Sequence, residues 1–88
     1  MKPNFAEDRP AIQYPCAWEY KAIGWDLDSM REAIAEIMTD QQHQVSFSRT
    51  SRTGRYCSML LEVTVESEDH RNAIFRALQE HRHIRMVL

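Results

Sequence analysis

Eighty-eight residues, 43% of them hydrophobic and 27% charged, are enough for one small globular domain and no more. A formal net charge of −2 argues against bulk attraction to nucleic acid or to anionic lipid. No apolar run approaches the roughly 20 residues of a membrane span, and no charged-then-apolar leader opens the chain, so no membrane association and a cytoplasmic location are expected.

Residues 1–13 are polar, contain Pro3 and Pro10, and show no periodicity; they read as a flexible N-terminal arm ahead of a single domain over 14–88. Pro15 stands where a sheet tolerates it, at the start of a strand. Trp18, Tyr20 and Ala22 alternate with Glu19, Lys21 and Ile23, and Gly24 ends this first strand. Leu27, Met30, Ala33, Ile34, Ile37 and Met38 then recur at helical spacing, with Asp26 as the capping residue and Asp28 and Ser29 in the first turn.

Val45 and Phe47 alternate with Gln44, Ser46 and Ser48 to give a second strand. The polar stretch from Arg49 to Arg55 contains the turn residue Gly54, so strands two and three form a hairpin. Met59, Leu61, Val63 and Val65 share one face of strand three; Ser58, Leu60, Glu62 and Thr64 share the other. Ser67 caps a second helix, whose buried stripe is expected to be Ala73, Ile74, Ala77 and Leu78. His81-Arg82-His83 turns the chain into a last strand, His83 to Leu88, that is apolar to its final residue. An apolar end of this kind implies a strand fixed in the sheet rather than a frayed terminus.

The order strand, helix, strand, strand, helix, strand predicts an α+β, ferredoxin-like βαββαβ two-layer sandwich with an antiparallel sheet in the order 4-1-3-2. Both helices cover one face. The open face is expected to carry Glu19, Lys21, Ile23, Ser58, Leu60, Glu62, Thr64, Arg85 and Val87. The same topology gathers Arg49, Arg52, Arg55, His81, Arg82 and His83 at one pole, a candidate patch for an anion or an acidic partner.

Catalytic constellations are weak. His81-x-His83 has metal-pair spacing, yet nothing forces a third ligand near it, so no metal or other cofactor is expected. Cys16 and Cys57 fall at opposite ends of paired strands, too far apart for a disulfide. No glycine-rich phosphate loop or nucleophile elbow occurs, and the domain is read as non-catalytic. An RNA-binding domain using the open sheet face and the basic hairpin is the alternative. Of the aromatics it would need for stacking, strand three offers Tyr56, and the two glutamates on that face oppose phosphate, which makes nucleic acid an unfavoured partner.

Tyr14-Pro15, Trp18, Tyr20-Lys21 and Gly24, then Gly54-x-Tyr56-x-Ser58, and above all the closing Ile84-Arg85-Met86-Val87-Leu88 resemble the YbeD-like family of small uncharacterised bacterial proteins. The resemblance runs from about Tyr14 to the end. It implies an ACT-like fold, a regulatory or binding role that has been linked to lipoate metabolism, and no catalytic residues. It also implies a ligand site at the turn from strand one to helix one, at Gly24, Trp25 and Asp26, for an unknown small molecule or protein partner. Side-by-side or face-to-face association is common among ACT-like domains, which makes a homodimer through the open sheet face or an edge strand the expected assembly.

Overall fold

The structure is a computed structural model and describes residues 12–88. Of the expected arm, residues 1–11 lie outside the described residues. The elements follow the expected order: β1 (Cys16–Gly24), α1 (Leu27–Met38), β2 (His43–Thr50), β3 (Cys57–Val65), α2 (Glu68–Glu80) and β4 (Met86–Val87). The sheet runs β2-β3-β1-β4, with every neighbouring pair antiparallel. This is the predicted order read from the other edge.

Local chemistry sets the helix starts. Asp26, in extended conformation, accepts hydrogen bonds from the Ser29 amide at 2.9 Å and the Ser29 hydroxyl at 2.7 Å. Ser67 does the same for α2, accepting from the His70 amide at 3.0 Å. Each satisfies an amide that the first helical turn leaves without a partner. Met30, Ala33, Ile34 and Met38 of α1 and Ile74 and Leu78 of α2 bury against Tyr20, Ala22, Met59, Leu61, Val63 and Val65 of the sheet. Burial of this single apolar layer holds the fold together.

Three details depart from expectation. Ala73 is exposed, and Phe75 packs at the margin of the core instead, so the stripe of α2 is Ile74 and Leu78 with Phe75 and Ala77 beside them. The last strand has only two residues in regular pairing, though the chain stays bonded to its end: the Arg85 amide donates to the Ile23 carbonyl at 2.7 Å, and Lys21 and Leu88 exchange backbone bonds of 3.1 and 2.8 Å. Val87 lies in the core, 7% exposed, because its partner across the ladder is Ala22 on the helix-covered face. Met86, opposite Ile23, and Leu88, opposite Lys21, take the open face in its place.

Candidate functional site

The ladder pairings arrange the open face in rows. Nearest the hairpin, Arg49 of β2, Ser58 of β3, Ile23 of β1 and Met86 of β4 stand side by side. The next row is Ser46, Leu60, Lys21 and Leu88; the row beyond is Gln44, Glu62 and Glu19. Arg49 reaches this face through a β-bulge. Phe47 pairs with Met59 and Arg49 pairs with Ser58, so Ser48 is an extra residue and the alternation slips by one. In a regular strand Arg49 would share the helix-covered side with Phe47.

Where these rows meet the hairpin, a shallow cavity of about 240 Å³ opens. Lys21, Ile23, Arg49, Ser51, Tyr56 and Ser58 line it. Two cations and no carboxylate face the cavity. The hairpin itself is closed by the Ser51 amide on the Tyr56 carbonyl at 2.7 Å and turns at Gly54, whose φ of 77° favours glycine. Beside it, the Arg85 guanidinium lies 5.8 Å from the centroid of the Trp25 ring, at the outer limit of a cation–π contact. Trp25 is 56% exposed.

The residues expected at the β1–α1 turn have separate duties. Gly24 is buried where no side chain fits: a Cβ there would stand 2.7 Å from the Met30 sulfur and 2.8 Å from the His83 carbonyl oxygen. Asp26 is engaged as the helix cap, and the hydroxyl and amide hydrogen bonds from Ser29 hold its carboxyl below the usual range. Trp25 is exposed, and Asp26, though exposed, has its Oδ2 committed to the cap.

The basic pole divides between the two sides of the sheet. Arg49 is on the open face, and Arg52 and Arg55 are exposed at the hairpin tip. His81 is in the helix layer, where its Nε2 lies 3.4 Å from the Glu36 carboxylate of α1. The His83 amide donates to His81 Nδ1 at 3.1 Å, which leaves Nε2 to carry the proton and donate to Glu36. Both nitrogens of the His81 ring are therefore occupied, and the His83 ring is 5.4 Å away and tilted by 34°. Arg82 is exposed. Lys21, Ile23 and Ser58, expected on the open face, and Tyr56, the stacking aromatic of the RNA-binding alternative, join Arg49 in the cavity, though the sequence did not mark them as a ligand site. The alternation along β1 and β3 was the signal for Lys21, Ile23 and Ser58.

Cys16 and Cys57 are both free and lie opposite Val65 and Gly24, at the two ends of β1. Burial pushes the Cys57 thiol up, and the nearby Asp26 charge adds to that, so it is a poor nucleophile.

Residues 9–88 match the family described as "Protein of unknown function (DUF493)". A UPF0250 protein of Hahella chejuensis is 30% identical over 88 residues, covering 93% of this chain and 94% of that one. Among solved structures, the solution structure of protein HP0495 from H. pylori is similar with a TM-score of 0.80 at 23% identity, covering 100% of this chain and 97% of that one. The ACT domain from the GTP pyrophosphokinase of Chlorobium tepidum superposes with a TM-score of 0.59 at 14% identity, over 82% of this chain and 94% of that one.

Proposed function

We propose a binding role from one premise: the chain belongs to the DUF493 family, also called UPF0250, of small uncharacterised bacterial proteins of YbeD-like type, and it has their ACT-like α+β fold. On this reading the domain is a non-catalytic regulatory module. It receives an anionic group, a carboxylate or phosphate with an apolar body, at the hairpin end of its open sheet face.

The observation that carries the reading is the lining of the 240 Å³ cavity, where Lys21 and Arg49 flank an apolar floor of Ile23 and Tyr56. Cations beside an apolar floor fix the head of such a ligand and shelter its tail. The volume suits one end of a small ligand rather than a whole cofactor, since ligand pockets usually hold about 300–1,000 Å³. The fold likeness to a domain of a GTP pyrophosphokinase supports a regulatory module. No feature of the cavity points to lipoate in particular. RNA is disfavoured, because Glu19 and Glu62 sit in the middle of the face on which bases would stack.

Amide chemical shifts of the ¹⁵N-labelled protein, followed during titration with inorganic phosphate and with hexanoate, test this. Lys21, Ile23, Arg49 and Ser58 should move together, and Arg49→Ser should abolish the response while leaving the other amides in place. Unmoved resonances at about 10 mM of both anions, a concentration well above any useful Kd, would reject the site.

A further inference from the structure

The open face also carries a charge pattern that no described side chain neutralises. Glu19 and Glu62 stand directly opposite each other across β1 and β3. Like charges in that position destabilise a strand pair. They border a shallow trough of about 440 Å³, walled otherwise by Gln44, Val45, Ser46 and Leu60. One row nearer the hairpin stands Lys21, and one row beyond that Arg49. Among the described residues none of these four charges has an ion-pair partner within the protein.

We propose that this face binds a second copy of the same chain, sheet against sheet, with Lys21 of each copy entering the Glu19–Glu62 trough of the other. The choice of a second copy follows from complementarity. The acidic trough and the cation that fits it lie on one surface, separated by one row, roughly 7 Å along the strand. The face is neutral in sum, two cations against two carboxylates, so it has no net pull on a strongly basic or acidic partner.

The symmetry axis follows too. An axis parallel to the strands would stack glutamate on glutamate. An axis across the strands, lying between the sheets, reverses one copy end for end and brings each lysine over the opposing pair of carboxylates. Leu60, together with Met86 at 51% and Leu88 at 64% exposure, supplies apolar contact around the charges. Packed sheets of this kind stand about 10 Å apart, within reach of a lysine side chain. Lys21 also borders the hairpin cavity, so the anion and the second copy compete for its ammonium, and a bound anion should weaken the dimer. Arg49 stays at the hairpin end of each copy, so Arg49→Ser, which removes anion binding, should leave self-association intact.

Sedimentation equilibrium of the full chain, from about 10 µM to about 1 mM and at about 50 and 500 mM NaCl, is the test. The expected result is a dimer mass that weakens with salt. Lys21→Glu should weaken association about tenfold or more, and so should Glu19→Lys combined with Glu62→Lys. Mixing the two variants should restore a heterodimer, because each then supplies the charges the other lacks. Circular dichroism melts confirm that each variant is folded. A monomer throughout, a dimer indifferent to Lys21→Glu, or folded variants that fail to pair on mixing would each overturn the proposal.

Discussion

The Tyr20 hydroxyl donates a 2.7 Å hydrogen bond to the backbone carbonyl of Arg71, fastening α2 to the centre of β1. Arg71 returns the connection from its other end. Its guanidinium lies 4.5 Å from the Trp18 ring centroid and donates to the Tyr14 hydroxyl at 3.0 Å. Burial pushes the Tyr20 pKa up to about 12, against a smaller opposing pull from Arg71. The folded state thus holds this proton more tightly than the unfolded chain, whose tyrosines titrate near 10. The stability that Tyr20 contributes is complete below pH 10 and is lost as pH rises from about 10 through about 12. The Cys57 thiol, also raised, acts in the same direction. Tyr20→Phe should cost about 0.5–1.5 kcal/mol at neutral pH, the net worth of one hydrogen bond. It should also flatten the alkaline fall. Urea unfolding of both proteins at a series of pH values checks this, and parallel curves between pH 10 and 12 would count against it.

Gly24 ties the first strand to the first helix by having no side chain. The Met30 sulfur could swing away from an added methyl group, but the His83 carbonyl oxygen at 2.8 Å is backbone and cannot. Gly24→Ala should therefore destabilise the domain by about 1–3 kcal/mol, as overpacking typically does. Trimming Met30 to alanine in the same chain should not relieve that cost. A double variant as stable as Met30→Ala alone would show that the carbonyl is not the obstacle.

Much of this architecture was legible because local signals and the global fold agree. Asp26 and Ser67 announce the two helix starts, and the period-two run through Met59, Leu61, Val63 and Val65 announces the core strand. What was not legible depended on pairing between distant segments. Val87 and Met86 exchange faces relative to expectation because register with Ala22 and Ile23 decides their orientation, and two residues of strand carry too little alternation to set it. Arg49 lines the cavity only because Ser48 is bulged, an insertion in the ladder that no residue type marks. The basic pole reads as one cluster along the chain, yet the sheet stands between Arg49 and His81.

The end of the chain should be among its protected parts. Leu88 donates to and accepts from the Lys21 backbone, and the Arg85 amide is bonded to Ile23. Terminal amides ordinarily exchange at once. Here the amides of Arg85 and Leu88 should exchange slowly, at rates near those of their β1 partners. Deleting Val87 and Leu88 removes a buried side chain and two ladder bonds, and should lower the melting temperature by several degrees. Free exchange at Leu88 in the intact protein would mean that the terminal ladder is not formed in solution.

The pair Glu19–Glu62 separates the demands of folding from those of association. Within one copy the two carboxylates repel, so Glu62→Lys turns a like-charged cross-strand pair into an opposite-charged one. Such exchanges are worth roughly 0.2–1 kcal/mol, and the sign here is stabilising for the isolated domain. Between copies the same substitution removes half of the site that receives Lys21 and adds a cation facing it. Chemical denaturation at micromolar concentration, where dilution favours the monomer, should show Glu62→Lys to be more stable than the natural sequence. Measured near millimolar concentration, where mass action favours the dimer, the order should narrow or reverse. The contrast is the informative result, because a purely structural role for Glu62 would give the same difference at both concentrations.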